Sequence, residues 1–187
     1  ISWKIMVLIF CVVAAVSATL MLAARMDTER VVRNLSSDYV LCMAELSADT
    51  LNKISSEEAN QEEYEKLLGG VRMEGIESSY AYLVDADGTM LYHPTAEKIG
   101  QPVENEVVKG VVAQLEKGEI PKDEVVTYEF KGTTKYAAYA ITDAKQIVVV
   151  TADEDEVLAP TNKMLYKQFG IAVVVLIFWA VVAYIMS

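Results

Sequence analysis

Residues 79–94 have the sequence SYAYLVDADGTMLYHP, which is the clearest local signal of the fold in this chain. Two short runs of β-prone residues, 79–84 and 89–93, lie on either side of Asp85-Ala86-Asp87-Gly88. An Asp-Gly pair suits the positive backbone angles of a tight hairpin turn. The stretch therefore predicts a β-hairpin from which an antiparallel meander begins.

The residues that follow the hairpin predict one helix and three further strands. Apolar residues fall on one face of the helix, which Gly118 ends, at Val107, Val108, Val111, Val112 and Leu115. The further strands are residues 124–130, 134–141 and 146–152, with turns at 131–132 and 142–145. Five strands in hairpin order with one inserted helix predict an α+β domain, whose antiparallel five-stranded sheet occupies residues 79–152.

The residues before the hairpin predict a long helix over 25–68 that covers one side of the sheet, because this range contains no Pro or Gly. Residues 55–58 are a candidate break that caps a second helical piece. One apolar stripe alternates steps of three and four, as in a coiled-coil seam, at Val32, Leu35, Tyr39, Cys42 and Leu46. A second apolar face can lie on the rest of the domain, at Val40, Met43, Leu51 and Ile54. The first stripe predicts a parallel homodimer, and packing against the sheet is its alternative.

Two uncharged, apolar segments are each long enough to cross a membrane. Residues 5–24 lie between Lys4 and Arg25, and residues 169–186 contain Trp179 and Tyr184 near one end. A cleavable signal peptide is the alternative for the first segment, but the apolar run is longer than such peptides use. We predict membrane helices at 1–24 and 169–187, a domain at 25–168 outside the cytoplasm, and both ends of the chain in the cytoplasm.

The last strand leads almost directly into the second membrane helix. Asp153 is a candidate helix N-cap, and Glu156 three residues later completes the pattern of a capping box. The pattern predicts that these two side chains satisfy the first N–H groups of the helix.

Charge and motif content exclude several classes of function. The chain has a formal net charge of −11, which disfavours nucleic acid and anionic membrane surfaces as partners. His93 is its one histidine, and no nucleophile–base pair, phosphate-binding loop or Cys/His metal spacing occurs in the sequence. In Asp85-x-Asp87-Gly88 the Gly comes too early for a calcium loop. We therefore expect no enzyme activity, no cofactor and no metal.

A helix–sheet domain between two membrane helices resembles the single Cache domain, a PAS-like sensor fold of bacterial receptors. The resemblance covers about residues 80–156, and it depends on residues 82–94, followed by Ile99-Gly100-Gln101-Pro102. It is most similar to chemoreceptors of the methyl-accepting type in Tyr136-Ala137-Ala138-Tyr139 and in residues 147–154. It differs from amino-acid-binding double Cache receptors, because only one sheet-forming unit is present and their Tyr–Arg–Trp–Tyr arrangement is not found.

The resemblance implies the sensing region of a chemotaxis receptor in a bacterial plasma membrane. A small solute, with a small carboxylate as one candidate, would bind the domain, and the second membrane helix would relay the signal to cytoplasmic modules beyond residue 187. The input domain of a sensor histidine kinase or a diguanylate cyclase is the nearest alternative. A protein-binding adaptor ectodomain is an alternative of another class.

The predicted ligand site lies on the open face of the sheet, beneath residues 93–102. Aromatic rings with hydroxyl groups suit a pocket that is mostly apolar with a few placed donors. The candidate residues are Arg72, Tyr80, Tyr82, Tyr92, His93, Lys135, Tyr136 and Tyr139. Arg72 is the first candidate to meet a carboxylate, because its planar fork matches that group, and Lys135 is the second. In a regular strand, Tyr136 and Tyr139 point to opposite faces.

Overall fold

A computed structural model describes residues 3–54 and 59–185. The helices are α1 Trp3–Leu51, α2 Gln61–Leu68, α3 Glu106–Glu116 and α4 Glu154–Ile185, with a short 3-10 helix at Ala96–Lys98. The strands are β1 Tyr80–Val84, β2 Met90–Tyr92, β3 Glu124–Phe130, β4 Thr133–Ile141 and β5 Ile147–Asp153. The chain divides into two compact units. The sheet unit contains residues 34–157, and the helical unit contains the residues before and after it.

The five strands form one antiparallel sheet in the order β2-β1-β5-β4-β3, which confirms the predicted α+β fold class. The hairpin β1–β2 closes through Gly88 at φ 87°, with the Asp85 N–H donating to Thr89 O at 2.8 Å. The hairpin β3–β4 closes through Lys131 and Gly132, both at positive φ, as a two-residue turn requires. The chain then returns through β5 to pair with β1, so the first and last strands are neighbours at the centre of the sheet.

One face of the sheet packs against α3. Period-two alternation turns Tyr82 and Val84 of β1, Ala137 and Tyr139 of β4, and Val149 of β5 toward this side. These residues form one buried cluster with the apolar face of α3, which consists of Val108, Val111, Val112 and Leu115. The helix predicted from the spacing of those valines is therefore confirmed, as is the packing role of its apolar face.

The opposite face of the sheet is buried on β1, β4 and β5, where most of its residues are small. These include Ala81, Leu83, Ala138, Ala140, Val148, Val150 and Ala152, each at most 2% exposed. Thr127 and Glu129 of β3 lie on the same face and are exposed. A stripe of α1 in the same unit is buried as well, at Val40, Ala44, Ala48 and Leu51. We infer that this stripe of α1 packs on this face of the sheet, because α3 occupies the other face. Asn52, just after α1, accepts a hydrogen bond from the Asp143 N–H at 2.8 Å and ties this end of the helix to the β4–β5 turn.

The helix predicted over 25–68 is divided in the structure. Helix α1 ends at Leu51, and α2 begins only at Gln61, after an N-cap at Asn60 whose side chain accepts from the Glu63 N–H at 3.1 Å. The candidate break at residues 55–58 lies outside the described residues. The division has a packing reason: Tyr64 and Leu68 of α2 are buried, and Gln61 donates to Leu91 O at 2.5 Å, so α2 lies against β2.

Helices α1 and α4 are each long and apolar enough to cross a membrane, by length and composition. Large hydrophobic side chains stay exposed along both, for example Leu8 at 63% and Val174 at 66%. The predicted boundaries after residues 24 and 168 fall inside these two continuous helices. The division into membrane helices and an outer domain therefore stays a prediction.

The predicted capping box at the start of α4 does not form as expected. The Asp153 N–H donates to Ser78 Oγ at 2.9 Å, and the Asp153 carboxylate pairs with Lys135. The Glu156 carboxylate instead accepts from the backbone N–H groups of Glu77 at 2.6 Å and Ser78 at 2.9 Å. The two acidic groups are used in this way because the antiparallel pairing of β1 with β5 brings residues 77–78 beside the first turn of α4.

Candidate functional site

A cavity of about 240 Å³ opens on the α3 face of the sheet. Its walls come from β1, β2 and β3 on the sheet side and from the segment 93–105 on the other. The lining residues are Tyr80, Tyr82, Met90, His93, Glu97, Lys98, Gln101, Pro102, Val103, Glu104, Asn105, Tyr128 and Phe130. The cavity lies beneath residues 93–102, where the ligand site is predicted, on the face of the sheet that α1 leaves open and α3 partly covers.

Backbone hydrogen bonds fix the covering segment to the hairpin. Met90 N donates to Gln101 O at 2.9 Å, and Gly100 N donates to Met90 O at 2.8 Å. Val103 N donates to Gly88 O at 2.9 Å. The segment is therefore an extension of the sheet rather than a free loop, and it holds its side chains at defined positions over β1 and β3.

A directed chain of hydrogen bonds crosses the floor of the cavity. The Asn105 side-chain amide donates to Tyr82 Oη at 3.4 Å, and Asn105 Oδ1 accepts from the Val107 N–H as the N-cap of α3. Thr151 Oγ1 donates to Tyr136 O at 3.1 Å, so at its 3.5 Å contact with Tyr128 Oη it must be the acceptor. Tyr128 in turn accepts from Tyr82, and this hydrogen bond helps to raise the pKa of Tyr82.

Burial keeps Tyr80 and Tyr82 protonated. Burial raises the pKa of Tyr80 to about 12, with smaller contributions from Tyr128 and Asp153. Burial is also the largest cause of the raised pKa of Tyr82, which is 4% exposed. Both phenols are therefore neutral hydrogen-bonding groups at any ordinary pH.

His93 is a neutral donor at the end of the cavity. Burial and the nearby Lys98 charge lower the pKa of His93 to about 4. Its Nδ1 accepts from the Thr95 N–H at 2.9 Å, so the proton of the neutral ring is on Nε2. The ring packs against Tyr80 and Tyr82, with centroids 5.1 and 5.8 Å away.

Charged groups of both signs surround the cavity. Glu104 lies between Lys98 Nζ at 3.7 Å and Lys131 Nζ at 3.6 Å, and both ammonium groups approach the Phe130 ring, at 5.3 and 5.0 Å from its centroid. On the other side, Lys135 pairs with Asp153 and its Nζ lies 5.8 Å from the Tyr80 ring. Among residues 3–54 and 59–185, no cluster of three or more His, Cys, Asp or Glu side chains is arranged to hold a metal ion.

The structure brings together some of the predicted site residues and separates others. Tyr80, Tyr82 and His93 line the cavity, and Lys135 lies beside Tyr80. Four predicted residues lie away from it. Arg72 is exposed on the segment before β1. Tyr92 is buried, and its pKa is raised by burial first and then by a hydrogen bond to Glu65 of α2. Tyr136 is on the opposite face of the sheet. Tyr139 is on the α3 face but outside the lining, and its hydroxyl donates to Glu124 at 3.3 Å.

Several lining residues escaped the sequence-based prediction, notably Lys98, Glu104, Asn105, Tyr128 and Phe130. Two signals could have found some of them. Tyr128 and Phe130 are two residues apart in a strand and so share a face, and Asn105 immediately precedes an apolar helical pattern, as an N-cap does. Lys98 and Glu104 carry no such signal, because the path of an irregular segment places them.

No family model matches the chain, and no curated protein matches it. Among solved structures, the chain is similar to a methyl-accepting chemotaxis protein from Vibrio parahaemolyticus, at 13% identity and a TM-score of 0.50. The match covers 73% of this chain and 98% of that one. The sheet unit has a PAS-like fold of the Cache type. At 13% identity the likeness shows this fold alone.

Two further solved structures are similar over a smaller part of their length. The ligand-binding domain of Mlp24 with asparagine matches at 18% identity and a TM-score of 0.40, over 54% of this chain and 38% of that one. The periplasmic sensory domain of the Campylobacter jejuni chemoreceptor Tlp1 matches at 20% identity and a TM-score of 0.42, over 53% of this chain and 36% of that one. The chain thus spans little more than a third of the length of these two domains.

Proposed function

We propose that this chain is the sensing region of a bacterial chemoreceptor, in which the sheet unit binds a small solute outside the cytoplasm. Residues 1–24 and 169–187 anchor it in the plasma membrane, and α4 relays the signal toward cytoplasmic modules. The cavity is the observation that supports this most. It combines a concave site of about 240 Å³ with neutral, directed hydrogen-bonding groups on a PAS-like sheet.

The chemistry of the cavity favours a small anion, with a small carboxylate as the candidate. His93 Nε2–H and the Lys98 ammonium group are donors at the lining, and Lys135 is a third one beside Tyr80. Charge-assisted hydrogen bonds to a carboxylate are stronger than those between neutral groups. The carboxylates of Glu104 and Asp153 already pair with the lysines, so a bound anion would compete with them.

Ligand screening of the full chain in nanodiscs tests the proposal. Small carboxylates, neutral amino acids and sugars are compared by thermal shift, since a ligand that binds only the folded state raises its stability by mass action. We expect His93→Ala, Lys98→Ala and Lys135→Ala to weaken the binding of a stabilising carboxylate. Arg72→Ala and Tyr139→Phe, at predicted positions outside the lining, are matched comparisons, and we expect both to leave affinity unchanged. A ligand that is insensitive to the three cavity variants would contradict this site. Stabilisation by a partner protein alone would favour an adaptor.

The homodimer belongs to the same proposal. Leu35, Tyr39 and Leu46 are 69%, 48% and 63% exposed, and Cys42 between them is exposed too. A parallel pairing of α1 through this stripe brings the two Cys42 side chains together. We expect mild oxidation of native membranes to form a covalent dimer that Cys42→Ala abolishes and Cys11→Ala retains. Cross-linking that occurs only after denaturation would argue against this seam.

The orientation is tested with reporter fusions. Lys4 precedes the first membrane helix, and an acidic domain can be translocated across the membrane. We therefore expect the domain outside and both ends of the chain in the cytoplasm. A reporter that is active only in the cytoplasm should be inactive when it is inserted in the turn at residues 143–145. Activity at that turn would reverse the proposed topology.

A further inference from the structure

One acidic side chain connects the cavity strand with the first turn of α4. The Glu156 carboxylate accepts from the N–H groups of Glu77 at 2.6 Å and Ser78 at 2.9 Å. Ser78 Oγ accepts from the Asp153 N–H at 2.9 Å, so residues 77–78 are bonded both to the end of β5 and to α4. We call these three hydrogen bonds the Glu156 bridge.

The bridge lies next to the cavity in sequence and in space. Tyr80, the first residue of β1, follows Ser78 by two residues and lines the cavity together with Tyr82. The Lys135–Asp153 pair lies on the same side, with Lys135 Nζ 5.8 Å from the Tyr80 ring. A shift of β1 caused by an occupant of the cavity would therefore act on residues 77–78, and through the pairing of β1 with β5 it would act on Asp153 as well.

Helix α4 spans Glu154–Ile185, with Pro160 inside it. Its first turn carries Glu156, whose carboxylate bonds the turn to residues 77–78, just before β1. Both oxygens of the carboxylate are used, on two successive N–H groups, so the first turn of α4 is held at two points. Charge-assisted hydrogen bonds of this kind are strong and directional.

We propose that Glu156 is the positioning residue that couples the state of the cavity to α4. The inference rests on the proposed function in that it takes the cavity as the sensing site. A brace that only stabilises the fold would add its effect to that of any change in the cavity. If Glu156 is a coupling residue, the effect of a cavity change on α4 depends on whether Glu156 is present, because the change is transmitted to α4 through this side chain.

A double-mutant cycle on the full chain in nanodiscs separates the two roles and needs no solute. Met90→Trp places an indole ring in the cavity, from β2. Tyr128→Phe is the milder second change, since it removes only one hydroxyl from the cavity floor. Each is combined with Glu156→Ala, and with Asp155→Ala as the matched control, since Asp155 is an exposed acid of the same turn. Hydrogen–deuterium exchange is measured for the amides of residues 158, 159 and 161–165, because Pro160 has no N–H.

We expect each cavity variant to change the exchange rate of these amides by roughly threefold in the native and Asp155→Ala backgrounds. In the Glu156→Ala background the change should disappear, and Glu156→Gln, which keeps one acceptor oxygen, should restore part of it. Equal changes with and without Glu156 would overturn the proposal and leave the bridge as a brace. No change in the native background would overturn it too, because the cavity would then not reach α4. Since no solute is used, neither result depends on the outcome of the ligand screen.

Discussion

The two faces of the same sheet differ in how their side chains fill space. The face assigned to α1 carries mostly Ala and Val, and its members on β1 and β5 are at most 2% exposed. The α3 face carries Tyr80, Tyr82, Tyr128 and Tyr139, and beside them lies a cavity of about 240 Å³. Because successive residues of a strand alternate between faces, each strand contributes to both environments.

The difference shows how one sheet combines a tightly packed face with a face that leaves space. Small residues let a helix lie close to the sheet and leave no room for a solute. Tyrosine rings leave space between them and offer hydroxyl groups, and the hydroxyls of Tyr82 and Tyr128 contact Asn105 and Thr151. We call the face assigned to α1 the closed face and the α3 face with its cavity the open face. Changes on the closed face should therefore lower stability most, whereas changes on the open face should act mainly on hydrogen bonding.

The largest effect is expected for Leu83→Ala on the closed face. Leu83 is 0% exposed at the centre of the sheet, and removal of a buried Leu side chain leaves a cavity that costs about 3 kcal/mol of the free energy of unfolding. Urea unfolding of the full chain in detergent micelles, followed by circular dichroism, measures the loss. Ile120→Ala, at a residue 69% exposed, is the control and should change little.

Tyr82→Phe tests the cavity side of the same strand, at the residue before Leu83. It keeps the ring and removes one hydroxyl, so we expect a loss of only about 1 kcal/mol. If Tyr82→Phe costs as much as Leu83→Ala, the open face is as important to folding as the closed one, and the contrast between the faces fails.

The pH dependence of stability should report on His93 at the open face. Its pKa falls from 6.5 in the unfolded chain to about 4 in the fold, chiefly through burial. The neutral ring thus stabilises the fold fully above pH 6.5, and this contribution is lost as the pH falls from 6.5 toward 4. Solvent screening at the cavity mouth reduces the expected loss to about 1–2 kcal/mol.

His93→Asn isolates this contribution from the carboxylates that titrate in the same range. Its side-chain oxygen can replace Nδ1 as acceptor for the Thr95 N–H, but it takes up no proton. The stability difference between the native chain and this variant should shrink as the pH is lowered. A constant difference across that range would show that His93 is not held neutral by the cavity.

Asn105 should show a smaller effect that divides into two parts. Asn105→Ala removes the N-cap of α3 and should cost about 1 kcal/mol. Asn105→Asp keeps the capping oxygen and removes only the amide donor to Tyr82, so it should retain most of the stability while it changes the cavity. Equal losses for the two variants in thermal unfolding would mean that the hydrogen bond to Tyr82 matters more than the cap.

The smallest effect is expected at the rim. Lys131 is exposed, and its pairing with Glu104 at 3.6 Å resembles surface ion pairs that contribute about 0–1 kcal/mol. Lys131→Gln should therefore shift thermal unfolding only slightly, and less again at high salt. A clear loss that salt leaves unchanged would show that the rim is part of the packed structure.

The local elements followed closely from the sequence. Strand β3 spans residues 124–130 as predicted, and β4 and β5 agree with their predictions to within one residue at each end. Alternation of apolar residues, turn residues at positive φ and the valine face of α3 are local signals, so they can be recognised without knowledge of the rest of the fold. The tyrosines do not identify the open side of the sheet by themselves, because Tyr136 lies on the opposite face.

Contacts between distant segments decided the rest. The pairing of β1 with β5 brings Ser78 to Asp153 and Glu156, and so replaces the predicted capping box by a bridge between two elements. The same pairing, with the path of residues 93–105, selects Tyr80, Tyr82 and His93 for the cavity and leaves Arg72 outside its lining. The elements and their apolar faces depend on neighbouring residues, so the order of amino acids is enough to predict them. The set of side chains that share the cavity depends on strand register and on an irregular segment that no periodicity encodes, so it follows from the folded chain alone.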